Sequence, residues 1–387
     1  MSSSTRDQAG AALPDPSRRA LLAVAPAWLL SGAAGAAGAE ADTPPLPALQ
    51  RGLNLTHWFE YQRNRPVGAA EMQMLRSLGF DHVRIPIDPA VAGWSPARGG
   101  GLGFQSELDD AVAAALAAGL EVVIDLHWSP EAKARIEADG DAEEAVAGLW
   151  QQLAESFTGT PPRQLAFELC NEPQYYGRAA PRWPEVQRRY LQALRAAAPR
   201  HLVLLTAAQG SSFEALSRLA LLPDRNVAYV FHDYDPFLFT HQGAAWLDER
   251  HTTAGLRSGI RYPATAQAGV APGLAHAHPQ AARELAKHLA GGWDAGVIRR
   301  RIDRAGDWAR ANQVRLLCNE FGVIRAHVDP ASRYRWIADT RSALEANRIG
   351  WTLWDYCDIF GIVEDTPRRI EPAALAALGL DPAAGAR

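Results

Sequence analysis

Beyond residue 50 the chain repeats one pattern, a short apolar run followed by a longer segment in which apolar positions recur at helical spacing. The apolar runs predict strands at 51–56, 82–87, 121–127, 165–172, 201–208, 226–234, 314–320 and 349–356. The segments between them predict amphipathic helices. Within 107–118, Leu108, Val112 and Leu116 share one face and Gly119 supplies a stop; within 183–198, Val186, Tyr190, Leu191 and Leu194 form a single stripe.

Strict alternation of strand and helix requires parallel strands joined by right-handed crossovers, and eight such units close into a barrel without edges. The predicted fold class is therefore α/β, a (β/α)8 TIM barrel forming a single catalytic domain. A doubly wound open sheet is the rival, weakened because the first strand runs into NLTHW at 54–58 and not into a glycine-rich phosphate loop. One connection is out of proportion. About sixty residues separate Tyr234 from a helix predicted over 294–310, so a long loop over 235–293 is expected above the mouth of the barrel.

The first forty residues follow another rule. Arg18 and Arg19 precede a Leu- and Ala-rich stretch at 20–30, and small residues lead to Ala37, Gly38 and Ala39. This predicts a twin-arginine-like signal peptide over 1–39, a linker over 40–48 and the catalytic domain over 49–387. An uncleaved anchor is the alternative, but the run is shorter than the ~20 residues a membrane span needs. A periplasmic or secreted location follows, with no stable membrane insertion after cleavage.

Composition narrows the partner. The chain is 48% hydrophobic and 21% charged, enough for a large core. Its formal charge of -4 becomes -5 without residues 1–39, and its basic residues are scattered, so no nucleic acid is expected. A neutral polymer suits the 12 tryptophans better, since an indole face is a surface on which a pyranose ring stacks. The 3 cysteines, Cys170, Cys318 and Cys357, are too widely spaced for a disulfide framework or a zinc site. A monomer is expected.

Barrel enzymes build their sites at the C-terminal ends of the strands. Here those ends carry Asn54 and His57, Arg84, His127 with Trp128, Asn171 with Glu172, His232 and Tyr234, Glu320, and Trp354 with Asp355. Any one has a structural explanation, but eight strands in one ring make them converge. Two glutamates ending the fourth and seventh strands are the equipment of glycosidic cleavage, in which one carboxylic acid protonates the leaving oxygen and a carboxylate attacks or activates water. Arg84 and Tyr234 are placed to hold one of them ionised, and His232 to adjust the other. A metal role is the rival for a carboxylate pair, but further acidic ligands and a His pair at ligand spacing are missing, so no metal or cofactor is expected. If the strands alternate faithfully, Cys170 and Cys318 face the barrel interior as packing residues.

RGLNLTHWF at 51–59, VRIPI at 83–87, VVIDLHW at 122–128, FELCNEP at 167–173, HDY at 232–234, NEFG at 319–322 and WTLWDY at 351–356 together resemble glycoside hydrolase family 5, the cellulase family, over nearly the whole mature chain. The resemblance implies retention of configuration without a cofactor, with Glu172 as acid/base and Glu320 as nucleophile. It also implies substrate-contacting roles for Arg84, His127, Asn171, His232, Tyr234 and Trp354. Trp58, Trp128 and Trp246 are candidates for neighbouring subsites, and each could equally belong to the core. The expected substrate is a β-glucan cut at internal β-1,4 bonds. A mannanase or β-1,3-glucanase with the same pair, and a carbohydrate-binding protein without catalysis, are the alternatives.

Overall fold

All eight apolar runs are strands in the computed structural model, which describes residues 46–244, 246, 258–264, 279–365 and 368–380. They are β1 (Arg51–Asn54), β2 (His82–Ile87), β3 (Glu121–Leu126), β4 (Leu165–Glu168), β5 (Leu202–Thr206), β6 (Val227–Asp233), β7 (Arg315–Phe321) and β8 (Gly350–Leu353). Each pairs in parallel with its chain neighbours, and β8 returns to β1 to close the barrel. The shell consists of α1 (Ala69–Leu78), α2 (Gln105–Ala117), α3 (Pro130–Glu137), α4 (Gly140–Ser156), α5 (Trp183–Ala197), α6 (Pro279–Ala290), α7 (Ala295–Asn312), α8 (Pro330–Ala346) and α9 (Pro372–Ala377). The signal peptide expected over 1–39 lies outside the described residues.

The helices start where the sequence supplies caps. The side chains of Ser129, Asp139, Asp294 and Asp329 accept backbone N–H groups at the starts of α3, α4, α7 and α8, satisfying donors a first turn leaves free. Outward-facing strand residues such as Val83, Ile85, Val122, Ile124, Phe167 and Phe231 meet these helices in the main core. Inside, a smaller cluster of Val123, Ala166, Leu202, Leu204, Ala228, Val230 and Leu317 fills the lower barrel.

Leu49 joins that interior cluster, fully buried, and Leu46 packs against it. Arg315 donates to the carbonyls of Pro47 and Ala48, and the Leu49 N–H donates to Glu121 Oε2 at 3.0 Å. Gly350 makes room for this segment, since a Cβ there would lie 2.0 Å from the Leu49 carbonyl oxygen. The described end of the expected linker is thus a plug on the barrel floor. In the long connection after β6, a turn of helix at Phe237–Thr240 and α6 stand where a continuous loop was expected.

Alternation fails where the chemistry begins. β4 ends at Glu168, four residues short of the expected end, and the pairing of β7 with β8 shifts between Cys318 and Phe321. Such a bulge lets two successive residues face one side, and Asn319 and Glu320 both reach the interior network. The cysteines therefore do not face the barrel interior as expected. Cys318 belongs to the main core outside the strands, as does Cys170, which borders a small cavity lined by Trp128, Lys133, Ile136 and Trp183.

Candidate active site

At the C-terminal mouth the strands bring Arg84, His127, Asn171, Glu172, His232, Tyr234, Glu320 and Trp354 around one axis. Each of Glu172, His232 and Glu320 presents a ligand atom within 4.8 Å of the other two. Glu172 reaches this position from beyond the end of β4 with φ 43°, a left-handed backbone that is uncommon outside glycine. Gly322, two residues after Glu320, lies so close to β8 that a Cβ would stand 2.1 Å from the Trp354 carbonyl oxygen.

Beneath the carboxylates lies Arg84, fully buried. Its Nε and Nη2 donate to the two oxygens of Glu168 at 2.7 and 3.0 Å, and Nη1 donates to Glu320 Oε1 at 2.9 Å and Asn54 Oδ1 at 2.8 Å. Nη2 also donates to Asn171 Oδ1 at 2.9 Å and stands 2.9 Å from Asp125 Oδ2. From its own place on β2, one guanidinium thus organises residues from β1, β3, β4 and β7. Glu168, Asp125 and Asn319 were not singled out from the sequence. The available signal was a charged or amide residue at an inward position of an otherwise apolar strand.

Asn171 is oriented from both ends. Burial holds His127 neutral, with its pKa lowered to about 3, and Asp125 lies 2.9 Å from its Nδ1. The proton accordingly sits on Nδ1, leaving Nε2 to accept from Asn171 Nδ2 at 3.1 Å. The second Nδ2 hydrogen remains for a ligand. His127 stacks on Trp354, with ring centroids 5.3 Å apart and planes 18° from parallel.

The two glutamates have different company. Glu320 Oε2 accepts from the Tyr234 hydroxyl at 2.9 Å, and its Oε1 accepts from Arg84. Glu172 Oε1 lies 2.8 Å from His232 Nδ1, which stands 3.4 Å from Glu320 Oε2. Burial works to raise Glu172, but the hydrogen bond and charge of His232 outweigh it and draw the carboxyl down to about 2. Burial likewise opposes a charge on His232, yet Glu320 and Glu172 raise its pKa. The pair therefore favours a charged His232 beside an ionised Glu172, a distribution that the sequence, which pointed to Glu172 as acid/base and to His232 as the group adjusting it, did not assign. The spacing of the three groups is also one in which a cation could sit, although Arg84 and Tyr234 already direct donors at Glu320.

A cavity of about 220 Å³ opens on the β5–β6 side of Glu172, walled by Ser212, Phe213, Asp235, Phe237 and Arg301. Exposed aromatic residues stand among the loops at the strand ends: Tyr61 after β1, with its ring 6.4 Å from His127, Tyr176 after β4, and Phe237 and Trp246 after β6. Of the tryptophans proposed for subsites, Trp246 is 53% exposed. Trp58 is half-buried and stacked on Phe59. Trp128, only 4% exposed, packs against Trp94 in the shell, so its surface is taken up by the core.

Known proteins share both sequence and fold. Residues 40–359 match the family model for cellulase, glycosyl hydrolase family 5. Endoglucanase 3 of Fibrobacter succinogenes is 28% identical over 342 residues, covering 82% of this chain and 51% of that protein, so the chain spans about half of that relative's length. Endoglucanase C of Acetivibrio thermocellus is 25% identical over 80% of this chain and 91% of its own. Among solved structures, endoglucanase Cel5A of Thermotoga maritima superposes with a TM-score of 0.68 at 25% identity, covering 86% of this chain and 97% of that one. A match over this much of the sequence, on a closed barrel with the motif residues gathered at one mouth, shows that the chain belongs to the cellulase family, glycosyl hydrolase family 5.

Proposed function

We propose that the protein is a retaining endo-β-1,4-glucanase in which Glu320 is the nucleophile and Glu172 the acid/base. The carrying observation is the approach of oxygens from the two carboxylates to within 4.8 Å. That suits direct attack on a sugar carbon, for which the carboxyl groups stand about 5–5.5 Å apart, and leaves too little room for the water an inverting enzyme inserts.

In the first half-reaction Glu320 Oε2 or Oε1 attacks the anomeric carbon as the glycosidic C–O bond breaks, and the leaving oxygen takes a proton from Glu172. That proton reaches Glu172 beforehand from His232 Nδ1, 2.8 Å away, as the sugar displaces water and weakens the ion pair, so Glu172 is a carboxylate again once the leaving group has departed. In the second half-reaction Glu172 takes a proton from water, which attacks the same carbon and releases Glu320. Asn171 Nδ2 is free to bond the 2-hydroxyl, a contact that strengthens as oxocarbenium character develops, and Trp354 offers a stacking face. We place the leaving half of the chain in the cavity beside Glu172 and the other half toward Tyr61, whose exposed ring lies 6.4 Å from His127, as internal cleavage requires.

Residues 1–39 are proposed to export the catalytic domain, 49–387, to the periplasm or medium. Among the described residues no helix is long and apolar enough to cross a membrane. Product analysis on defined glucan and mannan oligosaccharides with anomer-resolved NMR tests the reading. Internal β-1,4-glucan cleavage with the β-anomer formed first is expected, and the α-anomer first would overturn it. Glu320→Gln should abolish turnover while retaining oligosaccharide binding.

A further inference from the structure

Arg84 carries one positive charge and meets three buried carboxylates, Asp125, Glu168 and Glu320. They do not share it equally. Glu168 takes Nε and Nη2 in a two-pronged pair and also accepts from Asn319 Nδ2 at 2.7 Å, whereas Glu320 receives a single contact from Nη1. Two-pronged pairing fixes a guanidinium in plane as well as in place. Every polar atom hydrogen-bonded to Glu168 is a donor, an arrangement that favours the ionised carboxylate. Asp125 differs, since its Oδ1 is buried without a partner, and burial pushes its carboxyl up to about 6.

We propose that Glu168 is a positioning residue that fixes Arg84 and, by holding most of its charge, sets how far Arg84 neutralises Glu320. This rests on the assignment of Glu320 as nucleophile. Were Glu168 absent, Arg84 would turn its full charge on Glu320, which would ionise at lower pH and attack less readily. The other groups facing Glu168 act in known directions. His232 on β6 and Arg84 on β2 favour its charge, Asp125 on β3 opposes it, and burial pushes its carboxyl above the usual range. Asn54 on β1 and Asn319 on β7 are neutral.

The test follows kcat/KM against pH on 2,4-dinitrophenyl β-cellobioside, whose leaving group needs no proton, so the acid limb reports the nucleophile alone. In Glu168→Gln the acid limb should move down by about one pH unit and kcat should fall about tenfold. Glu168→Asp, which keeps the charge, should leave the limb near its wild-type position. An unmoved limb in Glu168→Gln, or equal movement in both variants, would overturn the proposal. Asn319→Ala, which removes the Nδ2 donor from Glu168 and frees its charge to pull on Arg84, should move the limb upward. That measurement decides the matter if Glu168→Gln does not fold, and an unmoved limb there overturns it. A wild-type protein that leaves the cellobioside intact would instead bring down the glycosidase reading, and this one with it.

Discussion

His232 shows how one side chain ties the site to pH. Its pKa is raised against the cost of burial by Glu320 and Glu172, so the site keeps its transferable proton until pH climbs through that raised value. The same pairing contributes stability that is fully present below the unfolded pKa of about 6.5 and lost as pH rises through the folded one. His232→Asn leaves Glu172 without its cationic partner and the site without its proton store. The alkaline limb of kcat/KM on cello-oligosaccharides should then fall at lower pH than in the wild type. An unchanged limb would show that His232 does not hold the proton Glu172 delivers. At this scale the sequence named the residue types and their strand ends, because each motif is local. It could not assign the proton, because Glu172, His232 and Glu320 are brought within reach only by β4, β6 and β7. Glu60 was missed for the same reason. It lies buried in the first loop with its carboxyl pushed up to about 9 by burial, next to a strand whose pattern does not mark it.

Between strands and chemistry stand the segments that carry Glu172 and Tyr234 beyond the sheet. The backbone after Glu172 is held from outside the barrel by Glu137, at the end of α3, whose oxygens accept from the Gln174 and Tyr175 N–H groups at 2.7 and 2.8 Å. Arg182 and Arg189 anchor Glu143 of α4, which accepts from the Tyr175 hydroxyl at 2.8 Å. Glu137→Ala should let this turn relax and move Glu172, lowering kcat on cello-oligosaccharides by about 10- to 100-fold, as a displacement near 1 Å can. Turnover of an aryl cellobioside with a good leaving group should fall far less. Equal losses on both substrates would mean that Glu137 does not act through Glu172. The amphipathic stripes of α2 and α5 were plain in the sequence, whereas the early end of β4 and the bulge in β7 were not. A bulge costs nothing in composition, and alternation read across it puts Cys318 on the wrong face.

For the molecule as a whole, the barrel is sealed at its N-terminal end by Leu49, two residues before β1. A chain beginning at residue 40 should unfold at the temperature of the full chain. Leu49→Ala should cost about 2–5 kcal/mol in chemical denaturation, the range for truncating a buried leucine. A cost near zero would mean the floor closes without it. Eight alternating units were legible because each strand and helix writes its own period into the sequence, and a parallel barrel follows from their order. That local information also marked which strand ends are polar, and hence where chemistry belongs. Only the tertiary structure decided which of those groups meet, which side chain holds the proton, and that Glu168 shares Arg84 with Glu320. Charge and hydrogen bonding between residues far apart in sequence depend on distances of a few ångströms, and those exist only once the barrel closes.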